Sequence, residues 1–267
     1  MVATYKVFAI RYAHLERTAR FNFVGGDEHD APMPLDYFVW AIVNDARTVI
    51  VDTGFDADAA RRRGRELVRP VADGLGAIGI APDQVEHIVI SHMHYDHSGN
   101  HQLFPRARYH LQDAEMAYCT GRCMTEPEVG GVFDAGSVAA MVDKVFAGRV
   151  QFYDGDAELA SGITLHKVGG HTRGMQIVRV ATERGWVVLG SDTAHFYANL
   201  DPGRAFPIFD NGQQYVEAQR TALRLASSPD HYIPGHDPLV CARYPAARTG
   251  VEDIVRVDLS PRAEGAG

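Results

Sequence analysis

The chain has 267 residues, enough for one large domain or two small ones and for a sizeable core. Its 26 Lys and Arg against 34 Asp and Glu give a net charge of −8, which excludes a nucleic-acid backbone as the main partner, because phosphate binding needs clustered cations. No run approaches the roughly 20 apolar residues that span a bilayer, residues 1–12 lack a signal peptide's apolar core and cleavage site, and three cysteines make no disulfide framework. A cytoplasmic protein with free thiols at Cys119, Cys123 and Cys241 is expected.

Tyr5 to Ile10 alternates as a strand, and Ala13 to Pro34 reads as a long polar loop, a kind that is uncommon in compact domains and often functional. Asp36 to Asn44 and Thr48 to Asp52 form a hairpin across Asn44-Asp45-Ala46-Arg47. Helices are expected over Ala57 to Val68 and Val71 to Ile78, with Arg61, Arg62, Arg63 and Arg65 on a solvated face. A strand at His87 to Ser91 leads into His92-Met93-His94-Tyr95-Asp96-His97, and Asp96 to Leu103 opens a helix. After a strand at Ala107 to Leu111, residues 112–150 are mostly helical, over Asp113 to Tyr118 and Gly136 to Phe146. The second half repeats the outline: a strand at Ile163 to Val168, a hairpin of Gln176 to Ala181 with Gly185 to Gly190, a helix at Tyr215 to Ser227, and a strand at His231 to Ile233. With no linker or low-complexity segment, one domain over 1–267 is expected, its tail at 260–267 frayed.

The stretch at 91–99 organises the rest. His92 and His94, two apart, point the same way in extended chain, and Asp96 and His97 turn toward a second point. Three imidazoles and a carboxylate within six positions are hard to bury without a metal, and such nitrogen and oxygen ligands suit zinc or a related first-row ion. Further candidates also end apolar strands: His171 after Leu165 to Val168, Asp192 after Val187 to Leu189, His236 after His231 to Ile233. Seven such groups exceed one tetrahedral site and fit two metals, about 3.5–4 Å apart, that share a carboxylate. A water on such a pair ionises near neutral pH and attacks an ester or lactone carbonyl, with His195 or Tyr197 as donors to the oxyanion and Asp96 passing a proton to the leaving alkoxide. Two or three of Phe21, Phe23, Trp40, Tyr95, Phe133, Phe196, Tyr197 and Phe209 are expected to line the pocket, with His14 and His29 at its mouth. His87, His101, His110, His166 and His231 are left out of the site.

The H-x-H-x-D-H motif at 92–97, the Gly-His at 171, the strand-end Asp192 and the Pro-Gly-His at 236 resemble the metallo-β-lactamase superfamily. That resemblance, running from about Tyr37 to His236, implies an α+β fold, a four-layer αββα sandwich with a dinuclear site at one edge of the sheets. It implies that His92, His94 and His171 hold one metal, that Asp96, His97 and His236 hold the other, and that Asp192 bridges them. Asp52, matching the superfamily's Asp-x-Gly strand end, would orient a ligand histidine. The two divalent ions would be zinc, with Mn, Fe or Co as alternatives.

Within the superfamily the chain is most similar to N-acyl-homoserine-lactonase-like hydrolases, which implies a lactone or other small ester as partner and leaves a homodimer open. Such lactonases place a tyrosine three residues after the bridging aspartate; here that position is His195, with Tyr197 two further on. A thioesterase of the glyoxalase II kind is the alternative, although no basic cluster follows His236. A non-enzymatic metal-binding protein would be marked by a lost ligand, and none is lost.

Overall fold

The structure, a computed structural model, describes residues 2–263. From residue 264 on, the expected frayed tail lies outside the described residues.

Strand β1 (Lys6–Leu15) runs on past Ile10, so the long loop begins after Leu15 and not at Ala13. A register shift between Arg11 and Ala13 breaks the apolar alternation, after which Ala13, His14 and Leu15 pair with Tyr37, Asp36 and Leu35. The hairpin follows as read, β2 (Leu35–Asn44) with β3 (Arg47–Val51). Helix α1 (Ala57–Arg63) is capped by Asp56, whose Oδ1 accepts from the Ala59 N–H at 2.8 Å. It stops at Gly64, in the left-handed region at φ 63°, well short of the expected Val68. Released from the helix, Glu66 and Leu67 form β4 (Glu66–Leu67) against β1.

Then come α2 (Val71–Ala77) and β5 (His87–Val89). The helix expected at Asp96 to Leu103 is absent: Asn100 takes a left-handed φ of 50°, and only a 3₁₀ turn at His101–Leu103 forms. The chain continues through β6 (Arg108–Gln112), α3 (Asp113–Cys119), α4 (Pro127–Gly130) and α5 (Ala135–Phe146). Two strands that the sequence pattern hid follow, β7 (Val150–Tyr153) and β8 (Ala157–Ala160). The last part holds β9 (Ile163–Lys167), β10 (Gln176–Thr182), β11 (Gly185–Ser191), α6 (Gly212–Leu225), β12 (Tyr232–Pro234), α7 (Leu239–Arg243) and β13 (Ile254–Arg256).

The strands form two sheets: an eight-stranded one ordered β13-β1-β2-β3-β5-β6-β7 with β4 paired to β1, and a five-stranded one ordered β12-β11-β10-β9-β8. Alternation along β2 explains why nearly all of it is buried. Phe38, Trp40 and Ile42 face the second sheet and meet Ile163, Leu165, Val178 and Leu189, while Val39 and Ala41 face the helical layer with Leu75 and Met141. On the far side, Ile177, Val188 and Tyr232 pack on Ala222 of α6. The result is the αββα layering implied by the resemblance. No helix of the described residues is long and apolar enough to cross a membrane.

β3, β5, β6 and β7 run parallel, as do β11 and β12, so their carboxyl ends share one edge of the sandwich. Loops at such an edge are where sheet folds present ligand-binding groups.

Candidate metal centre

The loop leaving β5 and the ends of β9, β11 and β12 bring His92, His94, His97, His171, Asp192 and His236 together, all buried, with Asp96 beside them. Asp192 is the centre of the arrangement. Its Oδ2 lies 3.8 Å from His92 Nε2 and 3.2 Å from His171 Nε2, and His171 Nε2 is 3.0 Å from His94 Nδ1. Its Oδ1 faces the other way, 3.5 Å from His97 Nε2 and 3.1 Å from His236 Nε2. Asp96 Oδ2 closes this second group at 3.6 Å from His97 Nε2 and 3.7 Å from His236 Nε2.

The backbone that sets this up is strained where it must be. Ser191, just before Asp192, sits at φ 43°, and Asp52 at φ 61°, both in the left-handed region that side chains rarely adopt. Gly235 is required by close approach: a Cβ there would stand 2.5 Å from Asp192 Oδ1.

The outer ring nitrogens are held. His97 Nδ1 donates to Asp52 Oδ2 at 2.8 Å, and Asp52 is itself fixed by the Ser91 N–H at 2.7 Å and Oγ at 2.8 Å. His92 Nδ1 meets Ser91 Oγ at 3.0 Å, His171 Nδ1 the Ile208 carbonyl at 2.7 Å, and His236 Nδ1 the Asp36 carbonyl at 2.9 Å. Each such partner keeps a proton on Nδ1 and turns an Nε2 lone pair inward, as metal-ligating histidines require.

The interior atoms are left wanting. His92 Nε2 and His97 Nε2 are buried with no hydrogen-bond partner among the described residues, a state that costs free energy unless something binds there. Burial pushes the imidazoles of His92 and His94 well below their usual range, which keeps them neutral and ready to coordinate. Burial also lowers His97 and His236, but the carboxylates of Asp192 and Asp96 outweigh it and raise both, so an entering cation displaces protons there. The donor set is that of a divalent metal site.

Of the other expected residues, His195 joins the cluster, its Nε2 3.1 Å from Asp192 Oδ2 and its ring stacked on Phe206 at 3.5 Å between centroids. Tyr197 does not. Its ring lies under Arg243, its N–H donates to Asp237, and its hydroxyl is buried beside Tyr244, away from the pocket. His14 binds Asp36 at 2.7 Å and His29 is exposed, so neither lines the mouth. His87 bonds His110, His166 bonds Asp156, and His231 bonds Ser228, all outside the cluster, as does the buried His101.

A pocket of about 270 Å³ opens over the cluster. Of the eight aromatic candidates only Tyr95 lines it, while Phe133 backs the His94 ring at 4.7 Å. Trp40 lies between the sheets, Phe23 and Phe196 are core, and Phe21 is largely exposed. Tyr37 and Phe206, unforeseen, form walls, and so do Arg17, Arg63 and Arg65. The basic run is therefore divided: Arg61 and Arg62 are exposed, whereas Arg63 and Arg65 are half-buried and line the pocket.

Sequence reasoning also missed Glu115. From the first turn of α3 this fully buried carboxylate accepts the Met93 N–H at 2.7 Å, the Thr172 hydroxyl at 2.6 Å and the Gly174 N–H at 3.0 Å. It ties the His92–His97 loop to the His171 loop. Nothing in its local sequence sets it apart from other first-turn acids.

Residues 33–236 match the metallo-beta-lactamase superfamily. An N-acyl homoserine lactonase of a Bacillus species is 24% identical over 222 residues, spanning 76% of this chain and 82% of the relative. Among solved structures, a quorum-quenching N-acyl homoserine lactone lactonase superposes with a TM-score of 0.73 at 18% identity, over 90% of this chain and 95% of its own. AidC, a dizinc quorum-quenching lactonase bound to a product, gives 0.71 at 15% identity, over 89% of both chains. With the αββα layers, the His and Asp cluster at the sheet edge and a match across most of the sequence, the chain belongs to the metallo-beta-lactamase superfamily and is a metal-dependent hydrolase.

Proposed function

We propose that the protein opens a lactone, or cleaves a related small carboxylic ester, at two divalent ions, zinc being the occupant its ligands suit best. The observation that carries this is the double facing of Asp192, one oxygen toward His92 and His171, the other toward His97 and His236. His92, His94 and His171 would hold one ion and Asp96, His97 and His236 the other, with Asp192 shared. When bound, such a pair supplies Lewis acidity, activating water at neutral pH and polarising an acyl oxygen.

The side chains divide the remaining work. Asp52, Ser91 and the carbonyls of Ile208 and Asp36 hold the imidazoles so that no reorganisation is needed during reaction. His195, its ring stacked between Phe206 and His236, would donate to developing oxyanion charge. Asp96, at the pocket wall, carries the proton from water to the leaving alkoxide. Water adds across the acyl C–O bond, giving a hydroxy acid from a lactone. The similarity to N-acyl homoserine lactonases supports lactones as the first class to test.

Metal analysis of purified protein should find about two equivalents per chain, and chelation should abolish lactone hydrolysis. Asp192→Asn and His236→Ala should each lose that activity while keeping native circular dichroism. Near-native turnover by either variant refutes the dinuclear assignment.

A further inference from the structure

Three guanidinium groups converge on the pocket from separate segments: Arg17 from the loop after β1, Arg63 from the end of α1, and Arg65 from beyond Gly64. In a chain of net charge −8, none of the three forms an ion pair with an Asp or Glu among the described residues. Their observed partners are neutral. Arg63 donates to the carbonyls of Gly131 and Phe133 at 2.9 and 2.8 Å and covers the Tyr95 ring at 3.8 Å. Arg65 Nε donates to the Tyr95 hydroxyl at 3.1 Å, and another of its nitrogens to the Arg63 carbonyl. Arg17 spends one Nη2 hydrogen on the Phe21 carbonyl at 2.5 Å, and its Nε is buried with no partner among the described residues.

Arg63 thus has a structural task, pinning the 131–133 loop. Arg17 and Arg65 keep donors free in a space that already contains the metal ligands His94, Asp96, His171 and His236. Gathering three like charges in a half-buried cavity is unfavourable unless an anion answers them, and guanidinium forks match carboxylate and phosphate oxygens. From this arrangement we infer that the natural substrate carries an anionic group, a carboxylate or a phosphate, on the part of the molecule remote from the bond cleaved, bound by Arg17 and Arg65. The inference rests on the hydrolase reading above and narrows it. Unsubstituted and N-acylated lactones are neutral and leave these arginines unanswered. Hydrolysis of a lactone bearing a carboxylate breaks its acyl C–O bond, adds water, and yields a hydroxy diacid.

The test uses metal-loaded protein and γ-butyrolactones that carry a carboxylate on arms of zero to three methylenes, each against its neutral carboxamide; phosphate monoesters form a parallel arm. The best acid should exceed its carboxamide in kcat/KM about ten- to a hundredfold, as expected for one or two charge-assisted hydrogen bonds. That ratio should fall toward unity in Arg17→Gln/Arg65→Gln, be partly restored in Arg65→Lys, and shrink with added salt. Whichever arm shows the larger ratio identifies the anion. Calorimetric titration with the matching hydroxy diacids and their monoamides reads the same preference without turnover. Ratios near one throughout both arms and in calorimetry overturn the inference while leaving the hydrolase reading intact. Absence of turnover with every lactone, but diacid binding that is lost in the double variant, upholds the anion site and refutes the lactonase reading.

Discussion

Replacing Asp52 by Asn should weaken one metal site selectively. Asp52 is buried at 0% exposure and accepts three hydrogen bonds, from the Ser91 N–H, the Ser91 hydroxyl and His97 Nδ1, at 2.7, 2.8 and 2.8 Å. An Asn amide presents one accepting oxygen to three donors, and its NH₂ must face a donor. His97 then loses the partner that keeps its Nδ1 protonated and its Nε2 turned toward Asp192 and Asp96. Loss of such a partner typically weakens a metal site ten- to a hundredfold. At free metal one hundred times Kd, a bound ion stabilises the native chain by about 2.7 kcal/mol; with a Kd ten- to a hundredfold weaker, about 1.4 to 0.4 kcal/mol is left. The difference of about 1.3 to 2.3 kcal/mol amounts to roughly 3–9 °C in Tm for a chain of this size. The quantity to measure is the rise in Tm on metal loading, wild type against Asp52→Asn, together with metal content after dialysis. Comparing rises removes any effect of the substitution on the metal-free fold. If the variant keeps two ions per chain and the full wild-type rise, Asp52 does not position His97 in the way its hydrogen bonds imply.

Two further outcomes follow from the surroundings of the cluster. Glu115→Ala leaves the Met93 and Gly174 N–H groups buried without an acceptor and unties the two histidine loops; it should cost at least about 3 kcal/mol, a fall in Tm of roughly 6–12 °C, and a melt within 2 °C of wild type would contradict this. Tyr197→Phe removes a hydroxyl that is buried beside Tyr244 and outside the pocket, so kcat/KM on any lactone turned over should stay within about twofold; a hundredfold loss would restore Tyr197 as the oxyanion donor.

The ligand cluster was legible because its members obey a local rule. Each candidate ends an apolar run, and apolar runs of four to eight residues bounded by turns mark buried strands, so strand ends fall at one edge wherever the strands are parallel. His92 to His97, His171, Asp192 and His236 all lie at that edge. The αββα layers came from the resemblance that those residues carry, since periodicity alone left β7, β8 and β13 unseen. Errors arose where backbone geometry overrides pattern. The shift at Tyr12 hid the second half of β1, the left-handed Gly64 cut α1 short, and Asn100 at φ 50° left no helix after Asp96.

The same cause made the pocket walls unreadable, and it separates two kinds of information in the chain. Reaction class depends on groups that a strand end fixes within a few residues, so the motif they form carries the resemblance that implies it. Specificity depends on which side chains from Arg17, the Gly64 reversal, the 131–133 loop and the Phe206–Ile208 segment meet over that edge. A run such as Arg61-Arg62-Arg63-Gly64-Arg65 has one composition whether its charges point to solvent or to substrate. Arg61 and Arg62 are solvated, while Arg63 reaches the Gly131 and Phe133 carbonyls and Arg65 the Tyr95 hydroxyl. Replacement of the expected tyrosine by His195 belongs with this. That position carries an imidazole held flat against Phe206, its Nε2 3.1 Å from Asp192 Oδ2, where the related lactonases are expected to carry a phenol.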